Sequence, residues 1–376
     1  MNKRIAVAHP VLNGNEKQYV LDCLETGWIS SVGKYIQLFE KAFADFCSTS
    51  HSVACSNGTT ALHLALEALG TGAGDKVLVP TLTFISSANA VRYCGAEPVF
   101  VDSEPRTMNL DPAQLERHIT PKTKGIIIVH LYGHPVDMDP VLELARRHNL
   151  FVLEDAAEAH GATYKGRMAG SLADAATFSF YGNKIMTTGE GGMITTSNAA
   201  LRDTMVQLRG QGMDTQRRYW FPVVGYNYRM TNIQAALGLA QLEQIDDLLQ
   251  RRQDVAVWYR EALSPLADVM TLPIEEPWAH HAFWGYSPVL KPDCPIDRDT
   301  LMRCLAEDGI ETRPVFYPVH TMPPYRKEGE SLPVAEHLAQ NGITIPMHGM
   351  LTQSDIEYIA ERLEAHCLAG VGCRTK

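Results

Sequence analysis

The sequence predicts an α/β protein: a large domain built on a mostly parallel sheet of seven strands, followed by a smaller C-terminal α/β domain. Three observations lead there. From His51 onward, short apolar runs alternate with helical patterns, the signature of strand–helix–strand units. Several runs, such as Ile126-Ile127-Ile128-Val129, are apolar at consecutive positions and so suit strands covered on both faces. The chain's 376 residues exceed the roughly 250–300 that one core fills, and Pro265, Pro273 and Pro277 punctuate the point where the pattern shrinks in scale. The expected division is residues 1–250 for the large domain, N-terminal segment included, and 251–376 for the small one.

The first 50 residues mix polar and apolar positions, with a helix expected over Lys34 to Phe46. Before it, Gly27-Trp28-Ile29-Ser30-Ser31 can either pack as a loop or present Trp28 and the serines to a ligand. Strands are expected at Val53–Cys55, Lys76–Val79, Pro98–Val101, Gly125–Leu131, Leu150–Glu154, Ala175–Phe180 and Met193–Thr196. Ser56-Asn57-Gly58-Thr59 leads from the first strand into a helix over Thr60 to Leu69, where free N–H groups and the helix dipole can meet an anion or simply be capped. Gly70 to Asp75 imitates a dinucleotide loop, but a strand rather than a helix follows it. Arg217 to Tyr228 reads as a long loop, and Thr231 to Leu263 as one helix, capped by Thr231 and Gln234, of roughly 45–50 Å at 1.5 Å per residue. Beyond it come shorter elements: strands at Ser287–Leu290, Ile310–Phe316 and Thr344–Pro346, and helices at Asp297–Glu307, Val334–Gln340 and from Thr352 on.

A formal charge of −10 argues against nucleic acid or an anionic membrane as the main partner. No apolar run approaches the roughly 20 residues of a membrane span, and the eight scattered cysteines form no C-x-x-C pair and read as reduced thiols. The expected location is the cytoplasm. His130 and His134 have metal-like spacing, yet Gly133 and Pro135 spoil a helical pair, so no metal is expected.

Ligands of such sheets bind beyond the carboxyl ends of the strands, and those ends carry Ser56, Phe84, Asp155 and Ser179. The most telling stretch is Thr177 to Met193, whose Lys184 follows a strand and precedes Gly189, Gly191 and Gly192. A lysine there is either a solvated turn residue or a partly buried amine, which loses proton affinity and can form a Schiff base. Asp155, at the end of the fifth strand, can cap the next helix or hold a charged ring nitrogen.

Ser56-Asn57-Gly58-Thr59, Glu154-Asp155-Ala156-Ala157-Glu158, Ser179-Phe180-Tyr181-Gly182-Asn183-Lys184 and Gly189-Glu190-Gly191-Gly192, in that order and spacing, resemble the DegT family of sugar-nucleotide aminotransferases. The resemblance continues through Gly225-Tyr226-Asn227-Tyr228-Arg229-Met230 and the Arg313-to-His320 loop, and so covers nearly the whole chain. It implies fold type I of the enzymes that use pyridoxal 5′-phosphate, with pyridoxamine 5′-phosphate as the intermediate form. On matching positions it implies that Lys184 bears the cofactor and moves protons, Asp155 pairs with the ring nitrogen, and Phe84 stacks on the ring. It also implies that Ser56, Asn57, Gly58, Thr59 and Ser179 surround the phosphate, with Asn227 reaching it from the neighbouring subunit of a homodimer. Glu158 stands where many relatives have a glutamine that donates to the cofactor; an ionised glutamate could not. Lysine at 184, where dehydrating relatives carry histidine, implies amino transfer. The stretch Phe178 to Lys184, with Asp155 to Ala159, resembles members for which L-glutamate is the donor and C4 of GDP-4-keto-6-deoxymannose the acceptor, and implies that Trp28, Ser30, Ser31, Arg313, Tyr317 and His320 choose the substrate. UDP- or dTDP-linked and 3-keto sugars remain open, as does a cofactor-binding regulator without turnover.

Overall fold

The computed structural model describes residues 4–214 and 216–368. Its centre is a seven-stranded sheet of β1 (His51–Cys55), β2 (Lys76–Pro80), β3 (Glu97–Val101), β4 (Thr123–Val129), β5 (Phe151–Asp155), β6 (Ala175–Ser179) and β7 (Gly192–Thr196). The order across the sheet is β1-β7-β6-β5-β4-β2-β3. Every neighbouring pair from β6 to β3 is parallel, and β7 runs antiparallel to both β1 and β6. The seven expected strands are all present, and the carboxyl ends of the parallel ones share one edge, where the site forms.

Helices α1 (Glu16–Thr26), α2 (Lys34–Phe46), α3 (Gly58–Ala68), α4 (Ser86–Tyr93), α5 (Met138–His148) and α6 (Ala199–Arg209) accompany the sheet. Helix α1 was not foreseen, because its mixed composition shows no clean apolar stripe; only Glu16 and Cys23 are buried. Helix α2 presents Tyr35, Phe39 and Phe43 to the interior at helical spacing. Helix α3 starts two residues earlier than expected, because the Asn57 side chain accepts from Thr60 N and the Thr60 hydroxyl closes the capping box.

The single long helix expected from Thr231 to Leu263 is two: α7 (Asn232–Leu242) and α8 (Ile245–Ala262). The Thr231–Gln234 capping box is present. The break falls at Glu243–Gln244, where Gln244 has φ −117° and ψ 15°. The reason is tertiary. Gln241 donates to Val11 O and Glu16, while Glu243 accepts from Asn15 and Tyr19, so the N-terminal segment holds the chain where it turns. The described residues between 211 and 230 carry no helix and no named strand, in keeping with the long loop expected over Arg217 to Tyr228.

The C-terminal part adds α9 (Arg298–Glu307), α10 (Pro333–Asn341) and α11 (Gln353–Cys367), the last opened by a Thr352–Asp355 capping box. Its strands are shorter than expected, two residues each at Met270–Thr271 with Val289–Leu290 and at Arg313–Pro314 with Ile343–Thr344. Tyr259, Tyr286, Leu305 and Leu363 centre its core. Among the described residues no helix is long and apolar enough to cross a membrane. Among the described residues six cysteines are free thiols. Cys304 is disulfide-bonded, against the expectation that all eight are reduced, since spacing along the chain does not tell which thiols meet in space.

Candidate active site

Strand alternation sends Glu154 and Asp155, adjacent at the end of β5, to opposite faces. Glu154 is fully buried and structural. It meets His130 Nε2 at 3.0 Å and accepts from the backbone N–H groups of Gly170, Leu172 and Ala173. Asp155, 5% exposed, takes the Ser87 hydroxyl at 2.7 Å from α4 and the Ala157 N–H at 3.2 Å. Burial raises its pKa; the Ser87 and Ala157 bonds and the charge of Lys184 pull it back. This buried acid has two neutral donors and capacity for a further one, so a cationic N–H aimed at it would be well received.

Lys184 lies in the turn between β6 and β7. Its backbone N–H donates to Tyr181 O at 2.9 Å, and the Thr187 hydroxyl and Thr188 N–H both donate to Phe180 O. Two glycines are needed here for different reasons. Gly189 has φ +80°, a left-handed conformation that side chains resist. A Cβ on Gly192 would sit 2.4 Å from Asn57 O, so the start of β7 can pass the entrance of α3 only without one.

The Lys184 side chain is 13% exposed; Nζ lies 3.5 Å from Glu158 Oε1 and 4.2 Å from the centre of the Trp284 indole. The other Glu158 oxygen accepts from Tyr132 N at 2.7 Å. Burial pushes the Glu158 carboxyl up to about 7, against the pull of Lys184 and the Tyr132 N–H. Its proton is therefore exchangeable near neutrality. His160, one turn of chain further on, packs against Phe43, Phe178 and Phe180. Burial holds it down to about 3, so it serves as a neutral core ring.

The entrance of α3 lies beside this turn. Ser56 Oγ is 3.1 Å from Thr60 Oγ1, and Gly58 faces Ser179 so closely that an added Cβ would meet the serine Cβ at 2.9 Å. Gly58, Thr59 and Ser179 are half-buried. The 226–229 segment runs along the same edge, with Ser56 N donating to Tyr228 O. Asn227 is exposed. Phe84 is 57% exposed, its ring 6.0 Å from Phe316.

The expected substrate residues are less gathered. Trp28 and Ser30 lie on the surface, tied through their carbonyls to Asn232 at the start of α7, with Ser31 beside them. Arg313, with an exposed side chain, lines a small cavity with Tyr132, Asn183, Trp284 and Phe316. Tyr317 is exposed. His320 is drawn inward, its Nδ1 2.7 Å from the Thr81 hydroxyl and Nε2 3.1 Å from Glu336. Both of its ring nitrogens are thus engaged within the protein rather than offered to a substrate. His130 and His134 are also spent on structure, holding Glu154, Val136 N and Glu276 N. Among the described residues, the metal-type donor atoms that converge are those of His63 and Glu67, four positions apart on α3, with Cys94, within 4.8 Å of one another.

Ser87, Tyr132 and Trp284 are the participants that sequence reasoning missed. Ser87 was within reach, since α4 begins just past a strand end. Trp284 arrives from a segment about a hundred residues after Lys184, and no local pattern marks it.

A buried acid at the end of β5, an amine in the turn after β6 and the α3 entrance beside that turn suit an enzyme that works through a phosphate-bearing group. The chain belongs to the DegT/DnrJ/EryC1/StrS aminotransferase family, whose model matches residues 10–364. It is a sugar aminotransferase dependent on pyridoxal 5′-phosphate. The GDP-perosamine synthase of Caulobacter vibrioides is 57% identical over 96% of this chain and 98% of its own. That of Escherichia coli O157:H7 is 48% identical over 96% and 98%. DesV of S. venezuelae, solved in complex with a ketimine intermediate, superposes with a TM-score of 0.89 at 35% identity, covering 94% of each chain.

Proposed function

We propose that this enzyme moves the amino group of L-glutamate onto C4 of GDP-4-keto-6-deoxymannose, giving GDP-perosamine and 2-oxoglutarate. The chemistry rests on one observation above all: the Lys184 amine is held against Glu158 and Trp284, close enough to the buried Asp155 for its charge to act on that carboxyl. The choice of sugar and nucleotide is supported by the two synthases just described.

The residues present fit the cofactor. The cleft between Gly58 and Ser179 would be filled by a single Cβ, as expected of a cradle where backbone approaches a phosphate. Ser56, Asn57, Gly58, Thr59 and Ser179 would hold that phosphate, Phe84 would cover one ring face, and Asp155 would keep the ring nitrogen protonated. Bound there, pyridoxal 5′-phosphate supplies an electron sink for the carbon that loses its proton. Lys184 Nζ takes that proton from the glutamate carbon and later delivers one to the sugar carbon. Ser87 fixes the Asp155 carboxylate. Glu158, able to keep a proton near pH 7, would donate a hydrogen bond to the cofactor's ring oxygen, as a glutamine at this position could. Arg313, Tyr317, Trp28, Ser30 and Ser31 would bind the sugar nucleotide.

We further propose a homodimer in which Asn227 completes the phosphate site of a second copy. Trp28, Ile29, Val32, Trp220, Phe221 and Val224 are exposed, more apolar surface than a monomer commonly leaves in water. Residues 1–250 and 251–376 are taken as the two domains and the cytoplasm as the location.

The test is an assay of the purified protein with glutamate and a panel of 4-keto and 3-keto sugars linked to GDP, UDP or dTDP, with 2-oxoglutarate and product mass measured. The reading expects turnover with the GDP-linked 4-keto sugar and NMR of the product showing the amine on C4. Preference for another nucleotide or ring carbon overturns the substrate. Binding of the cofactor without any glutamate half-reaction makes the protein a regulator instead.

A further inference from the structure

We propose that Trp284 is a positioning residue for Lys184, its indole face holding the ammonium of the lysine whenever that side chain is not joined to the cofactor. The proposal rests on the reading of Lys184 as the cofactor-bearing residue. A lysine that shuttles protons must stay at hand after release, yet its four-carbon stem is flexible. In this structure a closed circuit of contacts restrains it. Trp284 Nε1 donates to Asn183 O at 2.8 Å, one residue before the lysine, and the indole face lies 4.2 Å from Nζ. Nζ meets Glu158 at 3.5 Å, and Glu158 accepts from Tyr132 N at 2.7 Å. Tyr132 stacks on Trp284 at 6.0 Å and 9°, and its carbonyl accepts from Gly285 N at 3.2 Å. Glycine at 285 permits this, since a Cβ there would come within 2.7 Å of the Tyr132 ring. Tyr132 itself has φ +55°, a strained conformation that aims its N–H at the carboxylate.

The ring acts on one protonation state. A cation over an indole face is attracted to it, a neutral amine is not. Trp284 therefore favours Lys184 with its proton and loosens its hold once the proton has been delivered. The charged and titratable groups around Nζ are Glu158 and Asp155, which favour the ammonium when they are ionised, and His160, which does not.

The sign of one measurement separates positioning from mere packing. In the full-length protein, loaded with pyridoxamine 5′-phosphate and again without cofactor, Lys184 is acetylated over a pH series and its peptide quantified by mass spectrometry. Trp284→Leu is expected to lower the midpoint of Lys184 labelling by about one pH unit, with Trp284→Phe in between. A ring that only fills space would, on removal, admit water and leave the midpoint unchanged or raise it; either result overturns the proposal. Should Trp284→Leu not fold, the Phe and Tyr variants carry the same sign test. Loss of the glutamate half-reaction in the wild type would sink the proposed function, while the labelling shift without cofactor would still decide the role of Trp284.

Discussion

The two sides of the pocket differ in how much of their work is done before anything binds. On the β5–β6 side, Asp155 and Glu158 are buried and Lys184 is half-buried, and all three are engaged, by Ser87, Ala157, Tyr132 and Trp284. The residues proposed to bind the sugar nucleotide, by contrast, are not gathered, and Trp28, Ser30, Arg313 and Tyr317 are exposed. Charges that set reactivity must be fixed in advance, because an unpaired buried charge is costly and a mobile one is badly aimed. Groups that choose a substrate can wait for it, or for a second subunit, to order them. The difference predicts that substitutions on the first side lower kcat, and those on the second raise KM for the sugar nucleotide.

The strongest way to break that division is Lys184→Ala. Without the amine the proton on carbon has no carrier, and the expected loss is roughly 10⁴-fold or more in 2-oxoglutarate formation, with circular dichroism unchanged. Retained turnover would move the proton chemistry to another residue. Asp155→Asn comes next. It keeps the shape and the Ser87 contact but removes the charge, and about a 10²-fold fall in kcat is expected, with a smaller effect on cofactor binding. A kcat unaltered by that change would mean that the acid serves only the turn at Ala157.

The second side is sharpened by Arg313→Ala. Loss of one charge-assisted contact should raise KM for the sugar nucleotide about tenfold or more and leave the glutamate half-reaction at the wild-type rate. A defect in that half-reaction would place Arg313 with the amino-acid carboxylate and merge the two sides.

Legibility in the sequence divides along the same line. Strand ends, glycine turns and cap residues are local signals, and they located β5, β6, the Lys184 turn and the start of α3 within a residue or two. Glu158 was visible but not its state, because only the fold shows that Tyr132 donates to it and that water is excluded. Trp284 and Tyr132 were invisible, for their meeting with Lys184 depends on how residues 278–286 pack back onto the sheet. The break between α7 and α8 escaped for an allied reason: apolar periodicity continues through Glu243–Gln244, while the side chains that bend the chain there bond to residues 11–19, more than two hundred positions away.

A further expected effect concerns Glu158 and stability rather than rate. An unfolded glutamate titrates near 4.5, and this one is pushed up to about 7 by burial. Between those values the folded chain keeps a proton that the unfolded chain has released. Stability should therefore fall as pH rises through that window and level off above it. Glu158→Gln has no proton to lose. Relative to wild type it should be neutral near pH 4.5 and gain up to roughly 3 kcal/mol by pH 8, from a difference of about 2.5 units at 1.36 kcal/mol each. Urea midpoints at pH 5 and pH 8 measure it. If the glutamine variant gains nothing at the higher pH, the carboxyl is already ionised beside Lys184, and the donor to the cofactor's ring oxygen must be sought elsewhere.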